Sequence, residues 1–245
     1  MEIVQDLLRD AQFAKVRPKH KLDPRRIQIF RCVVAIIMLV NNFVYVFNEG
    51  ETGFLNYLFF LTHWGNIFTT FYFTINSFMY YDRKMTSKLA IFYHVALAVE
   101  TTVTFGFWFL VVPLAYMTFS ASPRRLKYLG STSRSYQIYM NIYLHSFPLI
   151  CLCIDYTFNR FVLSKRSLGL WISVIVTYFM VNFLAVVVFD YEIYVSLDYT
   201  QRMHYLIVLM TGMASLVGWW MPLWFQTSKY ILKKEKEVQQ KIIKD

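Results

Sequence analysis

The sequence predicts an all-α polytopic membrane protein: six transmembrane helices, an N-terminal interfacial helix and a charged C-terminal helical tail. Three observations carry this expectation. Hydrophobic residues make up 57% of the 245 positions and charged residues only 16%, far from the balance of a soluble domain. The charges cluster, leaving several apolar runs of about twenty residues or more, the length a helix needs to cross the hydrocarbon. These runs are continuous, whereas a transmembrane β-barrel needs short alternating segments.

The elements follow in order, read as one membrane domain over residues 1–245. Residues 1–26 form an N-terminal segment with charges of both signs where a secretory signal has its apolar centre. Ile3, Leu7, Leu8 and Phe13 give it an apolar face for the interface, with Arg17, Lys19, Lys21, Arg25 and Arg26 among the headgroups. Asp23-Pro24 is the start signal of the first span, since proline suits the first position of a helix. The six-helix bundle occupies 27–227, with spans at about 27–47, 54–80, 89–119, 136–158, 168–189 and 203–227. Pro113 is placed to kink or end the third. Residues 228–245 continue as a charged tail.

Charge sets the orientation. Nineteen Lys and Arg fall in the N-terminal segment, the loops after spans two and four, and the tail. Five fall on the other side, four of them in the third loop. The positive-inside rule then puts both termini in the cytosol or the equivalent compartment of an organelle. The net charge of +10 reads as contact with anionic headgroups rather than nucleic acid. Aromatic residues, at 19%, exceed what two interfacial belts need, so many must pack between helices. Cys32, Cys151 and Cys153 all lie inside spans and read as small buried hydrophobes.

Polar residues inside the spans are the candidates for function, because each is expensive there. Span four, YQIYMNIYLHSFPLICLCIDY over 136–156, places Asn141, His145, Pro148, Leu152 and Asp155 along one seam. It reads as the helix around which the rest is arranged. In span two Thr62, Asn66, Thr69 and Asn76 share a face, with His63 beside them. Span three carries His94 and Glu100, and puts Tyr93, Glu100, Thr104 and Phe107 on one face. Glu100 has no Lys or Arg in its own span, and Arg31 in span one is the single such residue in another. For each Thr, a bond to its own helix backbone or to a neighbouring helix is the ordinary reading. A lone His serves structure as readily as function.

No metal site is expected. The five His never stand four apart, no Glu-x-x-His occurs, and no cofactor is called for. Gly-rich nucleotide loops and a Gly-x-Ser-x-Gly elbow are also missing. What remains is a hydroxyl and an imidazole inside the membrane, a combination suited to acyl transfer from a lipid.

These residues resemble a known family. Phe60-Leu61-Thr62-His63-Trp64 resembles the Phe-Leu-Thr stretch of the androgen-induced and androgen-dependent-TFPI-regulating six-span membrane threonine hydrolases. Leu144-His145-Ser146, its apolar run and Asp155 ten positions on resemble that family's His segment, and Gly106-Phe107-Trp108 falls near a similar Phe-Trp. Where the family has a second His shortly before the catalytic one, this chain has Asn141-Ile142-Tyr143. The resemblance implies hydrolysis of lipid esters such as fatty-acid esters of hydroxy fatty acids, with Thr62 as nucleophile and His145 as base. Asn66, Asn141 and Ser146 are the supporting or oxyanion candidates. Asp155, about 15 Å of rise from His145, reads as an end-of-helix or interfacial group. His63, His94 and Glu100 keep several readings open. The expected partners are membrane lipids and the ester itself. The alternative class is a non-catalytic accessory subunit of a larger organellar membrane complex, docked on other membrane subunits.

Overall fold

In a computed structural model the described residues are 24–48, 59–78, 83–111, 134–158, 163, 165, 167–189, 209, 211–224 and 226. The interfacial segment before residue 24 and the charged tail after 227 lie outside them. The described secondary structure is all helical: α1 (Pro24–Asn48), α2 (Leu61–Phe78), α3 (Arg83–Gly106), α4 (Arg134–Phe158), α5 (Ser167–Phe189) and α6 (211–224). Four stretches are long and apolar enough to cross a membrane: Arg25–Asn48, Lys88–Phe109, Ile138–Phe158 and Ser167–Val188. The chain thus has the composition of a multi-pass membrane protein.

Local chemistry explains several boundaries. α1 opens on Pro24, as the Asp23-Pro24 signal predicts. α3 starts six residues before the expected span, so Arg83, Lys84 and Lys88 extend its helix rather than forming a loop. Helical hydrogen bonding can run past the hydrocarbon, and an exposed Lys88 is free to reach headgroups. α3 then widens into a π turn over Phe107–Val111. The expected kink or end at Pro113 lies outside the described residues. In the second span the helix is interrupted at Phe60 and restarts at Leu61.

Packing makes α3 the centre of the bundle, a role the sequence assigned to α4. In the most apolar stretch of α3, 72% of residues are buried, against 22% in α1 and 39% in α4. One core joins Val34 and Met38 of α1, Tyr72 and Phe73 of α2, Tyr93 and Ala96 of α3, and Leu152 of α4. A second packs Val95, Val99 and Val103 of α3 against Trp171, Ile175 and Tyr178 of α5, with Trp219 of α6. Gly218 permits this approach: a Cβ there would lie 3.1 Å from the Ala98 carbonyl oxygen. Small residues play this part where helices meet in lipid. The surplus aromatics do pack between helices, as in Tyr72–Tyr93, Tyr93–Tyr156 and Trp64–Tyr178.

The outer faces reverse the pattern of a soluble protein. Ile29, Val33, Ile36, Val40, Phe43 and Phe47 form an exposed stripe down α1, while Arg31, Asn41 and the core apolar residues face inward. In water so long an apolar stripe would be a liability. Against acyl chains it costs nothing. Cys153 is exposed on α4, so the expectation of a buried thiol holds for Cys151 but not for it.

Candidate active site

Four of the polar clusters among the described residues hold the charged side chains and the imidazole–hydroxyl pairs, and they differ in what they leave open to chemistry.

The deepest is ionic. Arg31 Nε donates to Asp155 Oδ1 at 2.8 Å, with the two side chains 2% and 0% exposed. Tyr72 donates its hydroxyl to Asp155 Oδ2. Asn76 Nδ2 donates to the Tyr72 oxygen at 3.0 Å, and Arg31 Nη1 to Asn76 Oδ1 at 3.3 Å. The ring closes across α1, α2 and α4. Asp155, in the last turn of α4, is buried and bonded to Arg31 and Tyr72. It is the counter-charge of Arg31, 124 residues away, because an arginine within a bundle needs one.

The second cluster joins α3, α5 and α6. His94 Nε2 lies 2.9 Å from the Trp219 carbonyl oxygen, and Ser167 Oγ lies 2.6 Å from His94 Nδ1. A carbonyl can only accept, so Nε2 carries the proton and Nδ1 accepts from the Ser167 hydroxyl. Ser167 Oγ in turn accepts from Trp219 Nε1 at 2.9 Å. His94 and Ser167 are both fully buried. The sequence reading singled out His94 but not Ser167, which stands just outside the expected start of span five.

The third cluster centres on Glu100, fully buried on α3. Thr69 donates to its Oε1 at 3.3 Å. Gly65 makes room for the carboxyl, since a Cβ there would come within 2.7 Å of Oε1. Glu100 does not pair with Arg31.

The fourth holds the residues the resemblance names. Thr62 Oγ1 and His145 Nε2 are 3.3 Å apart, joining α2 to α4 across 83 positions of sequence. His145 Nδ1 lies 2.9 Å from the carbonyl oxygen of Asn141, one turn earlier in α4. That carbonyl fixes the tautomer: Nδ1 carries the proton and Nε2 presents a lone pair to the threonine hydroxyl. Phe107, the first residue of the π turn, stacks on the imidazole with ring centroids 3.6 Å apart. Trp108 beside it donates Nε1–H to Ser146 Oγ at 2.9 Å, leaving the serine's own proton for another acceptor.

The restart of α2 matters here. The Phe60 carbonyl accepts from His63 N at 3.1 Å and from Trp64 N at 3.3 Å, so Thr62 sits in the first turn, at the positive end of the helix. A regular span two would have put Thr62 well inside it. Exposure also separates this site from the others. Thr62 is 9% exposed, His145 and Phe107 are half-buried, and Trp108 beside them is 39% exposed. Of the two hydroxyl–imidazole pairs among the described residues, this is the one near the surface.

The supporting candidates divide. Asn66 is fully buried, and its Nδ2 donates to Asn42 Oδ1 on α1. Asn141 has an exposed side chain and meets His145 through its backbone carbonyl. Ser146 is held by Trp108 at the rim. His63 is buried against Tyr45 and Phe60. Several threonines take the ordinary structural role: Thr70, Thr101 and Thr102 bond the carbonyls of Asn66, Leu97 and Ala98. Comparison with protein-family models, with curated proteins and with solved structures finds no match for this chain.

Proposed function

We propose that the chain is an intramembrane hydrolase of lipid esters, with Thr62 as nucleophile and His145 as general base. One observation carries the reading. The Asn141 carbonyl accepts a hydrogen bond from His145 Nδ1–H, so the lone pair on Nε2 faces Thr62 Oγ1 at 3.3 Å. A hydroxyl is a weak nucleophile until a positioned base removes its proton in the transition state. Pairs of this kind are often loose without substrate and tighten on binding.

Chemistry follows from the geometry. Thr62 Oγ1 attacks the ester carbonyl carbon as its proton passes to His145 Nε2. The C–O bond to the leaving alcohol breaks, and His145 returns the proton to that oxygen. Water then attacks the acyl-threonine, again giving a proton to Nε2; the acyl–Oγ1 bond breaks, His145 returns that proton to Thr62 Oγ1, and the acid leaves. The oxyanion is stabilised by the Ser146 hydroxyl and the positive end of α2. Phe107 holds the ring plane, and acyl chains lie against Trp108 and Phe109 at the surface, the latter 69% exposed. Fatty-acid esters of hydroxy fatty acids, the substrates implied by the resemblance, suit such lateral entry. Six spans with both termini on the cytosolic or matrix-like side, as the Lys and Arg distribution indicates, complete the reading.

The test is ester hydrolysis by purified full-length protein in lipid nanodiscs. Thr62→Ala and His145→Ala should each lose at least about 100-fold in kcat/KM, of the order a base or nucleophile contributes, and Thr62→Ala should lose labelling by a fluorophosphonate probe. Variants that hydrolyse as fast as the parent end the assignment.

A further inference from the structure

A hydrolase inside a membrane must bring water to its acyl intermediate, and the helices carry a polar strip leading away from the dyad. α2 and α3 run antiparallel. At one level His145 bridges Thr62 and Phe107, and at another Thr69 bonds Glu100. Seven residues separate the two levels on each helix, about 10 Å of rise. Asn66 on α2 and Thr104 on α3 stand between them, and Thr104 shares the Glu100–Phe107 face by its spacing of four and three.

Three oxygens along this strip, Glu100 Oε2, Asn66 Oδ1 and Thr104 Oγ1, are buried and bond to no group among the described residues. Buried polar atoms are nearly always satisfied, because an orphan costs about 1–3 kcal/mol. An apolar ligand would leave all three unsatisfied. A cation would find one carboxylate and neutral oxygens, yet the nearest partner of that carboxylate is a donor hydroxyl, Thr69. Water satisfies acceptors and hydroxyls alike, and internal water bridges groups of this kind. About three molecules at ~2.8 Å spacing cover the distance from Glu100 to the dyad.

We propose that Glu100, with Thr104 and Asn66, anchors an internal hydration site between α2 and α3 that feeds water to Thr62 and His145. Its second half rests on the hydrolase reading above. Glu100 is here a positioning residue: it holds water and does not touch the ester. The water it supplies forms the new C–O bond to the acyl carbon, gives one proton to His145 Nε2, and leaves as part of the acid when the bond to Thr62 Oγ1 breaks and His145 returns the proton to that oxygen. Every turnover removes one molecule, so the strip must refill from bulk. Gly65 preserves the arrangement by leaving the carboxyl its room.

Two readouts test the halves separately on the full chain in nanodiscs. The first uses Ag+, a thiol reagent comparable in size to water, in a background carrying Cys32→Ala, Cys151→Ala and Cys153→Ala. Thr104→Cys and Glu100→Cys should react at least 10-fold faster than Val95→Cys and Val103→Cys, whose parent valines pack into the dry core facing α5. Equal protection at Thr104 and the two valine positions overturns the hydration site, whether or not Glu100→Cys folds. The second readout is deacylation. Thr104→Val and Glu100→Gln should accumulate acyl-threonine by mass spectrometry and lose about 10-fold in kcat, with the acylation burst unchanged. An unchanged deacylation rate in both overturns the supply role. Loss of any Thr62-dependent hydrolysis in the parent defeats the dyad reading instead, and the Ag+ pattern still decides the hydration site.

Discussion

Replacing Asp155 by Asn removes the negative charge from the Arg31 ring while keeping its shape. The guanidinium, 2% exposed, then loses the carboxylate it is bonded to, and Tyr72 loses the carboxylate that accepts its hydrogen bond. Removing one partner of a buried pair costs about 3–5 kcal/mol. An exposed pair would lose no more than about 1 kcal/mol, so the two cases are well separated. At 1.4 kcal/mol per tenfold, the expected loss lowers the folded-to-unfolded ratio by roughly 100-fold or more. Reversible unfolding in mixed micelles, read by tryptophan fluorescence or steric trapping, measures it. The double variant Arg31→Met with Asp155→Leu removes both charges and should recover to within about 2 kcal/mol of the parent, since apolar replacements of buried pairs are neutral or better. If Asp155→Asn costs under 1 kcal/mol, or the double variant is worse than either single one, the ring is not the buried ionic latch described here.

Two further predictions concern the neighbourhood of the dyad. Phe107→Ala removes the ring stacked on His145. The imidazole then turns about its bond to the Asn141 carbonyl, and kcat should fall by about 10- to 100-fold, in line with small misplacements of a catalytic group. KM should change little and Phe107→Tyr should restore the rate, both read from steady-state ester hydrolysis. Gly65→Ala pushes the Glu100 carboxyl off the Thr69 hydroxyl, because the new methyl would lie 2.7 Å from Oε1 and 3.3 Å from Val99 Cγ1. The loss should be about 1–3 kcal/mol, the cost of an unmade buried hydrogen bond. It should largely vanish in a Glu100→Ala background, a coupling that an unfolding double-mutant cycle reads directly.

The helices were legible because about twenty apolar residues in a row leave a chain in lipid few alternatives. Thr62 and His145 could be named because Phe60-Leu61-Thr62 and Leu144-His145-Ser146 carry the resemblance, with the hydroxyl early in span two and the imidazole in span four. The feature that makes them a dyad was not legible. It is a backbone carbonyl, Asn141 C=O, which no side-chain pattern reveals. The interruption at Phe60 was hidden too, since nothing in Phe-Phe-Leu-Thr breaks a helix by propensity. Arg31 and Asp155 were both conspicuous, yet only packing could pair residues on α1 and α4 rather than Arg31 with Glu100. The central place of α3 was misread for a related reason. Its Ala, Val and Thr residues draw less attention than the polar seam of α4, but small side chains are what let four neighbours approach.

The sealed Ser167–His94 pair has a consequence for how reactivity in this molecule is interpreted. Both pairs set a hydroxyl against the lone pair of an imidazole whose other nitrogen is tied to a main-chain carbonyl. They differ in surroundings: an indole N–H already occupies the Ser167 oxygen, and closely packed side chains shut out every solute. Among the described residues the protein thus contains a second hydroxyl–imidazole pair, matched in proton arrangement but built on a serine, with its oxygen engaged by an indole and both side chains buried. Reactivity at Thr62 and not at Ser167 would then track access and an uncommitted oxygen more than the proton arrangement the two pairs share, with temperature, lipid and preparation identical by construction.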